Sequence, residues 1–270
     1  TIGYIYFDGG YGLEPIPLLE QFAQDYGFTV KKYPVPPAEM QNQSGLWLNV
    51  RRDRPNWMIM WGWGAMNPTA VKEAAKNGFP MDHFIGIWWS GSEDDTRPSG
   101  AEAKGYLSLS FNGVGANYPA IQDIKKHVVD KGKSQTQPDK LGENYYNRGV
   151  YNSVLVAEAI RNAQSITGKK VVSGEDVRRG FEAIQISAAR WKELGLPDFG
   201  APISNVSCSD HNGHHPAFMQ QWDGTKWVKV SDWIAPMKEK VRPMLEAAAK
   251  DYVAKNQPWP KRTEPCDKST

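Results

Sequence analysis

From residue 2 to residue 110, short apolar runs alternate with segments of helical period, and that alternation restricts the chain to β-α-β units built around a parallel sheet. Ile2 to Phe7, Phe28 to Tyr33, Trp57 to Trp61, His83 to Trp89 and Gly105 to Leu109 read as strands. Crossovers of this kind place helices on both faces, so the strands are expected to run parallel with cover on each side. Two of the intervening helices mark their own ends. Pro15 and Pro17 sit in the first turn of one, and Asn67-Pro68 opens another that Gly78 closes.

After Phe111 the texture changes to longer helical segments, Pro119 to Val129, Tyr145 to Gln164 and Gly174 to Ile184, with no strand between them. The last is led by Ser173 with Asp176 three residues on, the spacing of a reciprocal cap. Val150, Val154, Ala157 and the stretch from Ile160 to Ala163 form an apolar face that requires a partner, and this segment supplies no sheet to cover it. A hairpin follows, Ala217 to Trp222 and Lys226 to Val230 around Asp223-Gly224. A final helix spans Met237 to Ala254, and Pro258, Pro260 and Pro265 make an extended tail. No repeat of 20 to 50 residues is present, which argues against a solenoid.

Composition removes whole classes of function. With 40% hydrophobic and 23% charged residues the chain can build a core. Its 32 basic against 30 acidic residues give +2, too little for a nucleic-acid binder that tracks a phosphate backbone. No run approaches the roughly 20 apolar residues of a membrane-spanning helix. Because Thr1 lies almost inside the first strand, the chain reads as lacking upstream residues, and the missing leader says nothing of compartment. Cys208 and Cys266, 58 residues apart, fit neither metal spacing nor a redox motif. They are either a disulfide formed in an oxidising compartment or two unrelated thiols.

In open parallel sheets ligands bind beyond the carboxyl ends of the strands, and three of those ends here alternate aromatics with glycines. They are Asp8-Gly9-Gly10-Tyr11-Gly12, Trp61-Gly62-Trp63-Gly64 and Trp88-Trp89-Ser90-Gly91-Ser92-Glu93. Glycine admits a ligand close to the backbone, and Trp or Tyr offers a large face with one polar handle, so the three ends together read as a pocket wall; the alternative is that the rings cap the sheet as core. A dinucleotide site does not fit, since the third glycine of the motif would fall on Pro15 and no acid follows Tyr33. There is no phosphate loop of the GxxxxGK[ST] type and no GxSxG elbow. Asp210-His211-Asn212-Gly213-His214-His215 holds a carboxylate and three imidazoles; it reads as a solvated turn or as a metal site for a hydrolase using His211 and His214. Glu93-Asp94-Asp95 is a solvated loop or a partner for a ligand's cation.

Four segments resemble the type I periplasmic substrate-binding proteins of the leucine/isoleucine/valine type, which serve branched-chain amino acid ABC transporters. IGYIYFDGGYGLE is similar to the first strand and helix of that family's second lobe, and NWMIMWGWGAMNPTAVKEAAKNGF to its next strand and helix. ENYYNRGVYNSVLVAEAIRNAQ resembles the long helix returned to the first lobe, and DHNGHHPAFMQQWDGTKWV the last crossing and hairpin. The resemblance implies a doubly wound parallel-sheet lobe from 1–111 and 216–235, part of a first α/β lobe from 112–215, and a helix with a proline-rich tail from 236–270. It further implies a small polar or amphipathic ligand of the amino acid, aromatic acid or amide class held between lobes, an inner-membrane permease as partner, a periplasmic location, and neither catalysis, cofactor nor nucleic acid; a ligand-sensing receptor domain on the same fold is the alternative. By that mapping the first α/β half of lobe one is absent. Tyr11 with Gly10, Trp61, Trp63, and the loop carrying Trp89, Ser90 and Glu93 are the expected ligand-binding residues, with Glu93 in the place of an acid facing an ammonium group.

Overall fold

The computed structural model describes residues 1–260 and Thr263. Along the chain the elements are β1 (Ile2–Phe7), α1 (Gly10–Leu13), α2 (Ile16–Tyr26), β2 (Val30–Val35), α3 (Ser44–Asp53), β3 (Trp57–Trp61), α4 (Met66–Lys76), β4 (Phe84–Gly86), α5 (Glu93–Thr96) and β5 (Leu107–Ser110). They continue with α6 (Pro119–Ile124), α7 (Asn144–Thr167), α8 (Gly174–Glu182), α9 (Ala188–Glu193), β6 (Phe218–Trp222), β7 (Trp227–Lys229) and α10 (Lys238–Lys255). The chain divides into two compact units, Thr1–Val114 with Phe218–Asp232, and Gly115–Ala217 with the residues from Trp233 onward. The two units meet at 114/115, 217/218 and 232/233. Within the second unit Lys238 and Arg242 of α10 both bind the Asp210 carboxylate.

The first unit holds one seven-stranded sheet in the order β2-β1-β3-β4-β5-β6-β7. The first five strands are parallel, and β6 and β7 return antiparallel as the hairpin, so the fold is α/β with a mixed edge. One face carries Ile5, Tyr33, Met58, Met60, Phe84 and Tyr106 into a core closed by Trp47 and Val50 of α3 and Met66, Ala70 and Val71 of α4. On the other, α2 lies over β2 through the Lys32–Glu20 ion pair, and Tyr4 stacks on Tyr6 with ring centroids 5.0 Å apart. The cover is uneven: Ile59, Ile85 and Leu107, which share that face by register, are only half-buried.

Three strands differ from expectation: β5 covers Leu107–Ser110 where Gly105 to Leu109 was expected, β2 starts at Val30 where Phe28 was expected, and the ends of β2 and β4 have identifiable causes. The second runs to Val35 and not to Tyr33, because β2 is an edge strand and an edge tolerates the donor that Pro34 lacks. The fourth is only Phe84–Gly86, because Ser90 Oγ accepts the Ile87 N–H at 2.9 Å and folds Trp88–Ser90 into a 3₁₀ turn.

The second unit is helical, with Ile121, Tyr151, Ile186, Trp191, Phe199 and Ile203 in its core. Its α8 starts at the expected cap, where Ser173 Oγ accepts from Asp176 N and Asp176 Oδ2 accepts from Ser173 N. The first helix, expected to reach Val129, is α-helical to Ile124 and then widens into a π turn over Lys125–Val129. Glu158 on α7 is buried and is held bidentately by Arg190 of α9 at 2.7 and 3.1 Å, with Arg161 at 2.8 Å. Gly180 lets α8 lie directly on α7: a Cβ there would sit 2.0 Å from the Ala159 carbonyl oxygen.

The apolar stripe of α7 stays open on the other side. Val150, Val154 and Ala157 line a groove of about 790 Å³ with Ile124 and Leu196, and Val156 and Ile160 are 46% and 36% exposed beside it. Contiguous apolar surface of this kind drives association. The 270-residue chain expressed by itself is therefore expected to elute from size exclusion as oligomers, and the double substitution Val156→Lys, Ile160→Lys to shift it toward monomer. A clean monomer without the substitutions would show that the groove is too shallow to matter.

Candidate functional site

The carboxyl ends of β1, β3 and β4 position the candidate site, all within the first unit. Beyond β1 the chain turns into α1, and Gly12 makes that turn possible: a Cβ there would lie 1.8 Å from the Phe7 carbonyl oxygen. The close approach is fixed by Tyr4, whose hydroxyl donates to Gly12 O at 2.8 Å. Gly10 opens α1 and is exposed, and the turn carries Tyr11 toward Trp61 at the end of β3, ring centroids 6.0 Å apart.

Both polar handles of that pair are buried and without a partner, Tyr11 Oη and Trp61 Nε1 alike. A buried donor left unpaired costs about 1–3 kcal/mol, so two side by side mark a place where an acceptor is missing. Burial, reinforced by the Glu14 carboxylate, pushes the Tyr11 phenol up to about 12, which keeps it protonated and a donor at neutral pH. A third unpartnered atom, the acceptor Asn67 Oδ1 at the start of α4, is fully buried, while its Nδ2 donates to Trp89 O at 2.8 Å.

The remaining expected residues each have their own surroundings. Trp63 is 51% exposed and meets the Phe7 ring edge-on at 5.7 Å. Trp89 is 49% exposed and packs on Trp88, which in turn meets Phe111. Ser90 is fully buried, and its hydroxyl is engaged with the Ile87 backbone as the lock of the turn. Glu93 is buried at the first position of α5, not in a solvated loop.

Sequence reasoning did not single out Asn67 as a site residue, and nothing in the sequence marks its burial. It also placed Asp95 in an acidic loop, although Ser92-x-x-Asp95 has the spacing of a reciprocal cap. Asp95 is buried and accepts from both Ser92 N and Ser92 Oγ at 2.8 Å. Desolvation nonetheless pushes its carboxyl up to about 6 from 3.8, over the opposing hydrogen bonds from Ser92. Because the folded state holds the proton more tightly, this group's contribution to stability is fully present below pH 3.8 and is lost as pH rises through 6. The unfolding free energy of Asp95→Asn minus that of the parent is expected to climb between pH 4 and 6.5, by an amount on the order of 2–3 kcal/mol, as read by denaturant titration at each pH. A flat difference would mean that the carboxyl ionises freely in the folded protein.

The histidine cluster forms no metal centre. His211 Nε2 lies 3.1 Å from Glu182 Oε1, His215 Nε2 2.5 Å from Tyr151 Oη, and His214 is exposed on its own. Among the described residues no group of three or more His, Cys, Asp or Glu is placed to hold a metal ion. Cys266, the expected partner of Cys208, lies outside the described residues.

This chain belongs to the periplasmic binding protein family, whose profile matches residues 1–226. Among solved structures it is similar to one titled as an ABC transporter permease from the Pseudomonas fluorescens group, 36% identical with a TM-score of 0.88, covering 97% of this chain and 63% of that one. A branched chain amino acid ABC transporter from Thermus thermophilus with bound valine shares the fold at 17% identity and a TM-score of 0.70, covering 90% and 62%. A fatty acid ABC transporter substrate-binding protein from Thermomonospora curvata does so at 15% and 0.64, covering 87% and 57%. The chain thus spans about three fifths of the length of these structures. No curated protein matches it. The family is one of solute-binding proteins of the periplasm, and among the described residues no helix is long and apolar enough to cross a membrane.

Proposed function

We propose that the chain is the greater part of the solute-binding component of an ABC importer, which captures a small polar or amphipathic molecule at the carboxyl edge of the β1-β3-β4 sheet and passes it to an inner-membrane permease. The observation that carries this reading is the pair of orphaned donors, Tyr11 Oη and Trp61 Nε1, with half-exposed Trp63 and Trp89 in the loops that follow β3 and β4. Donors call for an acceptor and aromatic rings for a flat or apolar face, which is the chemistry of an amino acid, an aromatic acid or an amide. Glu93 and Gly10 are assigned to the same site, Glu93 toward a cationic group on the ligand and Gly10 as backbone that a ligand can approach.

A thermal-shift screen of these three compound classes tests the proposal, since a ligand bound at 1,000 times its Kd adds about 4 kcal/mol to the folded state. Tyr11→Phe separates the site from the rest of the molecule. Removing an unpaired hydroxyl is expected to raise the melting temperature of the free protein slightly, by about 1 kcal/mol of stability, and to weaken ligand binding about tenfold. If the screen finds a ligand whose affinity Tyr11→Phe leaves unchanged, the site lies elsewhere.

A further inference from the structure

The segment from Asp210 to His215 assembles no metal ligands among the described residues, and at its centre lies an Asn-Gly step, Asn212-Gly213. In such a step the glycine nitrogen, screened by no side chain of its own, reacts with the side-chain amide carbon of the preceding asparagine. The chain contains three of them, Asn77-Gly78, Asn112-Gly113 and Asn212-Gly213.

The fold restrains the first two. At the end of α4, Asn77 Nδ2 donates to Glu73 O at 2.8 Å and Gly78 N to Ala75 O at 3.0 Å, so the leaving amide and the attacking nitrogen are both engaged. Asn112 is fully buried, away from the water that the reaction consumes; its Oδ1 accepts from Trp88 Nε1 at 3.4 Å and its Nδ2 donates to Gly113 O at 3.3 Å. Asn212 differs on each count. Its side chain is exposed, and among the described residues neither its side-chain amide nor Gly213 N has a hydrogen-bond partner. The turn also makes the glycine obligatory, because Gly213 has φ +55° and a Cβ there would lie 2.7 Å from Ser204 O.

The backbone on either side has no slack. Asn212 N donates to Asp210 Oδ1 at 3.3 Å, and His214 N to Ser204 O at 2.9 Å. Gly213 O accepts from Lys238 Nζ at 3.2 Å, and Lys238 is the first residue of α10.

We propose that Asn212 is a modification site, at which the folded protein deamidates spontaneously, and that the isoaspartate formed there releases the first turn of α10. Hydroxide removes the Gly213 N–H proton, and the nitrogen attacks Asn212 Cγ. The new N–Cγ bond forms as the Cγ–Nδ2 bond breaks, and Nδ2 takes up a proton and leaves as ammonia. Water then opens the cyclic imide at either carbonyl, giving aspartate or isoaspartate, with no oxidant or reductant involved. In isoaspartate the main chain runs through Cβ and Cγ and is one methylene longer, which the contacts of Gly213 with Ser204 and Lys238 do not accommodate.

The 270-residue chain is aged at pH 8.5 and 37 °C, folded and in concentrated urea, and its peptides are followed by the mass gain of amide-to-acid conversion, with isoaspartyl methyltransferase labelling to count isoaspartate. In the folded protein the Asn212 peptide is expected to convert at least tenfold faster than those of Asn77 and Asn112, and in urea all three at similar rates. Equal rates in the folded protein overturn the proposal, and so does a preference for Asn212 that persists in urea. Asn212→Asp separates charge from chain length. Hydrogen exchange over Lys238–Lys255 is expected to match the fresh parent in that variant and to quicken in the isoaspartate fraction of the aged parent. Unchanged protection in that fraction overturns the link to α10.

Discussion

Replacing Trp89 by alanine is expected to weaken ligand capture about 100-fold while leaving the melting temperature nearly unchanged. The ring is 49% exposed, so roughly 100 Å² of it is free to be covered by a ligand. At about 25 cal/mol per Å² that cover contributes between 2 and 3 kcal/mol, near two decades in Kd. The loop itself does not depend on the ring, because it is Trp89's carbonyl that Asn67 holds and Ser90 that locks the turn. Titration by intrinsic fluorescence gives the affinity, and calorimetry the stability. An unchanged Kd would return Trp89 to the part of a cap on the sheet.

The largest stability effect is expected at Gly180. Gly180→Val places a side chain where 2.0 Å separates the Cβ position from the Ala159 backbone, and neither helix can yield locally because both atoms belong to main chain. The helices must part, exposing Ala159 and Ala163, both now fully buried. Overpacking usually costs 1–3 kcal/mol; with backbone against backbone the upper end or beyond is expected, enough to unfold the second unit in mild denaturant. Gly180→Ala, with the same Cβ and no more, should lose most of the same stability. Hydrogen exchange confined to α7 and α8 would follow the loss, and wild-type protection in either variant would contradict the close contact.

What could be read from the sequence follows from how local each signal is. The bounds of β1 and β3 are those read from the apolar runs, because their runs are unbroken by polar residues. The strands β2 and β4 slipped because one is an edge strand that accepts Pro34 and the other is cut short by a serine that folds the chain back on Ile87. The short helices α1 and α5 are too brief to show a period. In the candidate site the aromatic ends were visible as residue types. Which of them meet was not: Tyr11 finds Trp61, Trp63 finds Phe7, and Trp89 finds Trp88. Unpaired atoms such as Asn67 Oδ1 and Glu182 Oε2 have no sequence signature, since being orphaned depends on everything that does not reach them.

The antiparallel closure of the sheet has a consequence for how the protein is made. Gln220 on β6 donates to Gly91 O across 129 residues, and Trp222 to Gly100 O across 122. At translation rates of about 5–20 residues per second, β5 waits roughly 5 to 23 seconds as an open edge before its neighbour β6 leaves the ribosome. Ser108 and Ser110, which are buried in the finished sheet, interrupt the apolar run of that waiting edge and make it a poor template for a neighbouring chain. The same long loop means that residues 1–114 cannot be cut out as a self-sufficient domain, because Trp222 and Trp227 complete their core from the far end of the chain.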